Sequence, residues 1–197
     1  MRTKLGKLFF QWRDLLPLPL AGLLLAKATP SRLSWWLGLP LVLGGELLRI
    51  WSLMHIGPTT RTRSICADQL VTSGPYRLCR NPLYLANLTK VAGLLIIAGN
   101  PLLLVLILAF YGVEFFCMIA YEEEFLREKF PAEFARYEAS VPAFFPRLAG
   151  DLGSTTHSLR EALISEKRTF ASTGVLLALL KLVELAGHRQ HNRSVTP

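Results

Sequence analysis

Four blocks of the chain are apolar for long enough to cross a bilayer: Leu15–Ala28, extendable back to Leu8 through Phe9, Phe10 and Trp12, then Leu33–Ile56, Leu83–Ala98 and Pro101–Tyr121. A helix rises about 1.5 Å per residue, so about 20 residues cross a hydrocarbon core of about 30 Å. A helix also satisfies its own backbone hydrogen bonds where no water is present, which excludes an open sheet. The expected fold is therefore an all-α integral membrane protein with about four transmembrane helices. Composition agrees: 51% of the 197 residues are hydrophobic and only 18% are charged. A cleaved signal peptide is the rival reading of the first block, since Ala26-Lys27-Ala28 follows a leucine-rich stretch. Removing that helix would reverse the side on which the next basic loop lies.

Basic residues in short loops are retained on the cytoplasmic side. Arg2, Lys4, Lys7 and Arg13 precede the first span, and Arg61, Arg63, Arg77 and Arg80 face a single Asp68 in the loop after the second. Thr29–Ser31, with Lys27 and Arg32 near it, is short, and the Asn100-Pro101 turn carries no charge. The two longest polar segments are thus expected together on the cytoplasmic face. The net charge of +8 needs no nucleic acid as partner, because orientation and attraction to anionic headgroups account for it. Cys66, Cys79 and Cys117 form no framework and read as free thiols. His188 and His191 have ligand spacing but lie in a polar tail without acidic or cysteine partners, so no metal site is expected.

Charges at bilayer depth are costly unless paired or wet. Glu46 and Arg49, three apart on the second span, read equally as an internal ion pair and as part of a site. Lys90 with Asn87, and Glu114, are expected to pair across the bundle.

Two further segments stand out. In Leu70–Tyr84, Gly74-Pro75 forms a turn and Pro82, preceded by Asn81, opens the third span, holding Tyr76, Arg77, Arg80, Asn81 and Tyr84 at its mouth. After the fourth span, Glu122, Glu123 and Glu124 are crowded together ahead of Phe130, Phe134, Arg136 and Tyr137. Three adjacent carboxylates repel one another, and a cation-binding site explains them better than a solvated helix end. Consecutive helical positions differ by about 100°. One of Glu122 and Glu123 is therefore expected to face a pocket and the other to hold a basic neighbour, with Glu124 solvated.

Order and spacing of these pieces resemble the integral membrane methyltransferases of the isoprenylcysteine carboxyl methyltransferase and phospholipid methyltransferase superfamily. Their pattern of G-x-Y, R-H-P-x-Y and, one hairpin later, E-E with a Phe and Tyr segment corresponds to Gly74, Tyr76, Arg80, Asn81, Pro82, Tyr84, Glu122, Glu123, Phe130 and Tyr137. The match covers about residues 45–147 and includes Arg49-x-Trp51. It departs from the pattern at Asn81, where His is usual, at Pro131, where Gly is usual, and at Phe134, where Tyr is often found. Asn cannot titrate near neutrality, so a proton-handling role there is not carried over.

The resemblance implies S-adenosyl-L-methionine as cofactor, bound by Gly74, Tyr76, Arg80, Asn81, Pro82, Tyr84, Glu122 and Glu123, with Arg49 and Tyr137 as catalytic candidates. It implies methyl transfer to a lipid or small hydrophobic acceptor, foremost an isoprenylcysteine-type carboxylate and next a phospholipid amine. A sterol-reductase-like NADPH enzyme and a non-catalytic membrane sensor on the same scaffold are the alternatives. The chain divides into an N-terminal helix hairpin at 1–56, a methyltransferase core at 57–147 and a tail at 148–197, which is expected to be dispensable for cofactor binding. Within the tail, Phe170–Gly187 is apolar but carries Lys181 and Glu184, so an interfacial or docked helix is expected in preference to a fifth span.

Overall fold

A computed structural model describes residues 2–57, 69–147 and 152–195, with side chains as far as 187. Arg61, Arg63, Cys66 and Asp68, and the side chains of His188 and His191, lie outside the described residues. The elements in order are α1 (Arg2–Trp12), α2 (Pro17–Ala26), α3 (Arg32–Ile56), α4 (Pro75–Leu78), α5 (Pro82–Ala98), α6 (Pro101–Lys129), α7 (Pro131–Ser140) and α8 (Leu159–Val195). The architecture of the described residues is all-helical, and the protein is an integral membrane protein. Helices α3, α6 and α8 are each long and apolar enough to span, and α1 with α2 passes the same test as a pair.

Helix starts are written plainly in the sequence. Proline occupies the first turn of α2, α4, α5, α6 and α7, where its missing N–H has no intrahelical acceptor to lose. Ser31 and Ser34 form a reciprocal capping box at the start of α3. Asn100 caps α6 by accepting from the Leu103 amide at 3.1 Å, after Gly99 has ended α5 in the left-handed region at φ 73°.

The apolar block expected as one first span is instead bent by 71° between α1 and α2. Pro17 follows a turn at Arg13–Leu16 and cannot donate to a continuous helical ladder. Helix α1 lies against α6, with Phe9 edge-on to Phe110 and Phe10 edge-on to Tyr121.

Helices α3 and α5 form the most closely packed pair. Gly38 and Gly93 face each other there, and a β-carbon on either would strike the other's backbone carbonyl. In lipid, where apolar burial gives no preference for helix contact, such close backbone approach is what holds helices together. The main core lies between α2, α3, α5, α6 and α8 and contains Val42, Leu95, Ile97, Ala98 and Leu180.

The C-terminal block docks as a fifth long helix. α8 runs antiparallel to α3, with Glu166 at Arg49, Thr173 at Glu46 and Lys181 over the Trp35 ring. Of the interfacial and docked positions expected for it, the structure has the docked one, with its charges neutralised: Lys181 and Glu184 pair at 2.6 Å and Glu166 is fully buried against Arg49. Of the two readings of Glu46 and Arg49, the ion pair within α3 is replaced by pairs to other helices. Both side chains reach into the contact with α5 and α8, where Glu46 meets Lys90 at 3.2 Å and Arg49 meets Glu166 at 2.8 Å. Lys90 and Asn87 pair across the bundle as expected, Asn87 by accepting from Arg49 at 2.8 Å. Glu114 is buried in α6, and its Oε2 has no hydrogen-bond partner among the described residues.

Candidate functional site

The C-terminal end of α3, α4, the start of α5, the end of α6 and α7 meet at one end of the bundle. Gly74 initiates the α4 turn at φ 57°, a conformation that L side chains resist. The His55 ring lies over it, where a β-carbon would stand. His55 is buried, and its Nδ1 is 2.9 Å from Ser73 Oγ. The Gly74 amide donates to the Leu152 carbonyl at 2.6 Å, and Thr156 Oγ1 donates to the His55 carbonyl at 2.8 Å. Residues 152–157, at the start of the tail, therefore cross over the end of α3 and the Gly74 turn. His55, Ser73 and Thr156 do not stand out in the sequence. Their only sequence signal is polar side chains in and beside an apolar helix end, which single positions rarely distinguish from solvated residues.

Arg80 and Asn81, the two residues before Pro82, lock the ends of α6 and α7 to the start of α5. Arg80 donates to Glu123 from Nε at 2.9 Å and from Nη2 at 3.3 Å, and its Nη1 donates to the Val141 carbonyl at 2.7 Å. Asn81 Nδ2 donates to Glu123 Oε1 at 3.1 Å and to the Ala143 carbonyl at 3.0 Å. The Arg80 amide donates to the Pro142 carbonyl, so the chain after α7 lies along the α5 entry. Asn81, standing where the related pattern has His, serves here through its two amide hydrogens. Pro131, standing where Gly is usual, opens α7 directly after α6.

Of the three adjacent carboxylates, Glu123 thus holds Arg80. Glu122 faces Tyr84 across the α5–α6 contact, with the Tyr84 hydroxyl in hydrogen-bonding reach of its carboxylate. Glu124 is exposed. Tyr84 also packs edge-on to Phe115.

Tyr137, on α7, donates from its hydroxyl to the Tyr76 carbonyl at 2.5 Å. Tyr76 itself is only 6% exposed, and its hydroxyl has no hydrogen-bond partner among the described residues. An orphaned buried hydroxyl is costly in a folded protein unless a ligand completes it. Burial holds the Tyr76 phenol well above the ordinary range, helped by neighbouring Tyr137 and Glu122 and opposed by Arg49. Burial does the same for Tyr137.

Gly74, Tyr76, Arg80, Asn81, Pro82, Tyr84, Glu122, Glu123, Arg49 and Tyr137 are accordingly gathered at one end of the bundle. Arg80, which the resemblance implies as a cofactor ligand, is committed within the protein. A groove of about 280 Å³ between α3 and α8, lined by Trp35, Trp36, Leu39, Pro40, Lys181 and Glu184, lies at the opposite end and is apolar. No group of three or more His, Cys, Asp or Glu among the described residues is placed to hold a metal ion.

The family model for phospholipid methyltransferase matches residues 33–133, from the start of α3 through α6 to the opening of α7. The cobalt-zinc-cadmium resistance protein CzcN of Cupriavidus metallidurans is 32% identical over 179 residues, which are 88% of this chain and 78% of that protein. The nickel-cobalt-cadmium resistance protein NccN of Alcaligenes xylosoxydans xylosoxydans is 31% identical over 143 residues, 71% of this chain and 63% of that protein. Protein-S-isoprenylcysteine O-methyltransferase A of Arabidopsis thaliana is 31% identical over 119 residues, 57% of this chain and 60% of that protein. No solved structure matches the chain.

Proposed function

The chain belongs to the phospholipid methyltransferase family, and on that ground we propose that it transfers a methyl group from S-adenosyl-L-methionine to a lipid or small hydrophobic acceptor at the end of the bundle where α3, α4, α5 and α6 meet. The orphaned hydroxyl of Tyr76 beside Glu122 carries this reading. A cofactor bearing an ammonium and a sulfonium fits such a place: Glu122 supplies negative charge, Tyr76 supplies a hydrogen-bonding group, and the Tyr84 and Tyr76 rings supply aromatic surface. The cofactor, when bound, supplies an activated methyl group.

The protein's part is alignment and exclusion of water. Methyl transfer is an in-line displacement, so positioning gives most of the acceleration and no covalent intermediate with the protein is required. Glu122 holds a cationic group and Tyr84 orients that carboxylate. Arg80, Asn81 and Glu123 fix the helix ends that carry both, while Pro82 and Gly74 set the backbone of the entry. Arg49 and Tyr137 act from α3 and α7 on the Tyr76 segment, Arg49 through its charge and Tyr137 through the 2.5 Å hydrogen bond to the Tyr76 carbonyl.

The acceptor reaches this end from the bilayer. An isoprenylcysteine-type carboxylate is the leading acceptor, supported by the plant isoprenylcysteine methyltransferases among the relatives, and a phospholipid amine is the second. The positions of Arg2, Lys4, Lys7, Arg13 and Arg77 support a cytoplasmic site. Incubation of membranes containing the protein with methyl-labelled S-adenosylmethionine, followed by lipid extraction, tests the reading. Base-labile label is expected for a methyl ester and stable headgroup label for an amine. Absence of label from both fractions would count against it.

A further inference from the structure

We infer that Glu166, on the C-terminal helix beyond the family-matched segment, is a positioning residue for the site: it fixes the guanidinium of Arg49 at the mouth of the bundle. The inference rests on the methyltransferase reading above, and it runs against the expectation that residues 148–197 are dispensable for cofactor binding.

Arg49 projects from α3 and is held at two points, by Glu166 from Nε at 2.8 Å and by Asn87 from Nη1 at 2.8 Å. An arginine side chain has many rotamers, and two fixed donors leave its planar fork a single orientation. Asn87 lies one turn beyond Tyr84 on α5, so the grip ties Arg49 to the helix whose entry forms the site. In that orientation the Arg49 guanidinium is bound to α5 within one turn of Tyr84. Glu166 is fully buried, and a carboxylate withdrawn from water within a bundle is retained only where it is paired.

Attachment of α8 does not by itself call for this pair. Thr173 Oγ1 donates to Glu46 Oε1 at 3.0 Å one helix segment further on, and Leu180 is fully buried in the main core. The part of α8 nearest the mouth instead places its charge on the arginine of α3 that is also bound to Asn87 of α5.

The test uses the full-length protein in lipid nanodiscs, with S-adenosylhomocysteine as the probe. Thermal unfolding and probe affinity are measured for the parent, for Glu166→Gln, which preserves shape, and for the exchange Arg49→Glu with Glu166→Arg, which preserves an ion pair but moves its cation from α3 to α8. A positioning role predicts that Glu166→Gln weakens the probe roughly tenfold or more, as loss of a buried charge partner does. It also predicts that the exchange recovers thermal stability without recovering affinity. Binding within about twofold of the parent by Glu166→Gln, or recovery of both properties by the exchange, would show a purely structural pair and overturn the inference. Failure of the parent itself to bind would be seen before any substitution and would overturn the methyltransferase reading along with this one.

Discussion

Arg80 Nε lies 2.9 Å from Glu123 Oε1, and this contact joins the residue before the α5 entry to the last turns of α6. With the two carbonyls of the α7 segment also bound to Arg80, one side chain holds three chain segments. Arg80→Ala is therefore expected to destabilise the protein and release α7, by about 3 kcal/mol or more if Glu123 is left buried and unpaired. Limited proteolysis in nanodiscs should show faster cleavage between α6 and α7. Unchanged protection would remove the clamp role.

Tyr137→Phe removes only a hydroxyl and leaves the Tyr76 carbonyl without its donor. A loss of about 1–2 kcal/mol of stability is expected. The ring itself packs on Phe134, so Tyr137→Ala should cost distinctly more. A Tyr137→Phe variant as stable as the parent would show that the hydrogen bond contributes nothing, and equal losses from the two substitutions would show that the ring packing adds nothing to it.

Lys90 and Glu46 meet at 3.2 Å inside the bundle. Removing one charge leaves the other stranded, whereas removing both as apolar residues of similar volume is often neutral or stabilising. Lys90→Met should lower the unfolding temperature strongly, and Lys90→Met with Glu46→Leu should regain most of the loss. A double variant no better than the single one would mean that the two groups do not act as a pair.

Cys79 is 1% exposed, and burial pushes its thiol up from the ordinary value. The native protein should resist thiol reagents on both sides of the membrane, so that Cys79 cannot report topology until the chain is unfolded. Raised groups favour the folded state below their unfolded pKa and lose that contribution as pH rises through the folded one. With Cys79, Tyr76 and Tyr137 all raised, stability should be flat in this respect near neutrality. It should fall as pH climbs from about 8 to about 11, through the ordinary thiol and phenol ranges. Melting temperatures across that range, together with labelling kinetics, check both points.

Much of this was legible in the sequence, because the signals were local and chemical. Proline at Pro82, Pro101 and Pro131 fixes helix starts through a missing N–H, and the crowding of Glu122, Glu123 and Glu124 requires them to face different ways. What stayed hidden depended on packing. Glu46 and Arg49 sit at an ideal intrahelical spacing, yet each finds its partner on another helix. Glu166 lies in a charged stretch that reads as solvated until α8 is laid along α3. The first apolar block runs far enough to be one span, and only the turn before Pro17 divides it.

If the Glu122 carboxylate and the Tyr76 hydroxyl mark a site for the adenosyl cofactor, as proposed, one measurement meets it directly. S-adenosylhomocysteine is titrated into the full-length protein in nanodiscs while the unfolding temperature is followed, since a ligand that binds only the folded state raises it in proportion to RT ln(1 + [L]/Kd). The parent and Glu124→Gln are predicted to be stabilised alike, with Glu122→Gln stabilised little or not at all at the same concentrations. A parent that gains no stability at saturating ligand, or a Glu122→Gln variant that gains as much as the parent, would contradict the claim.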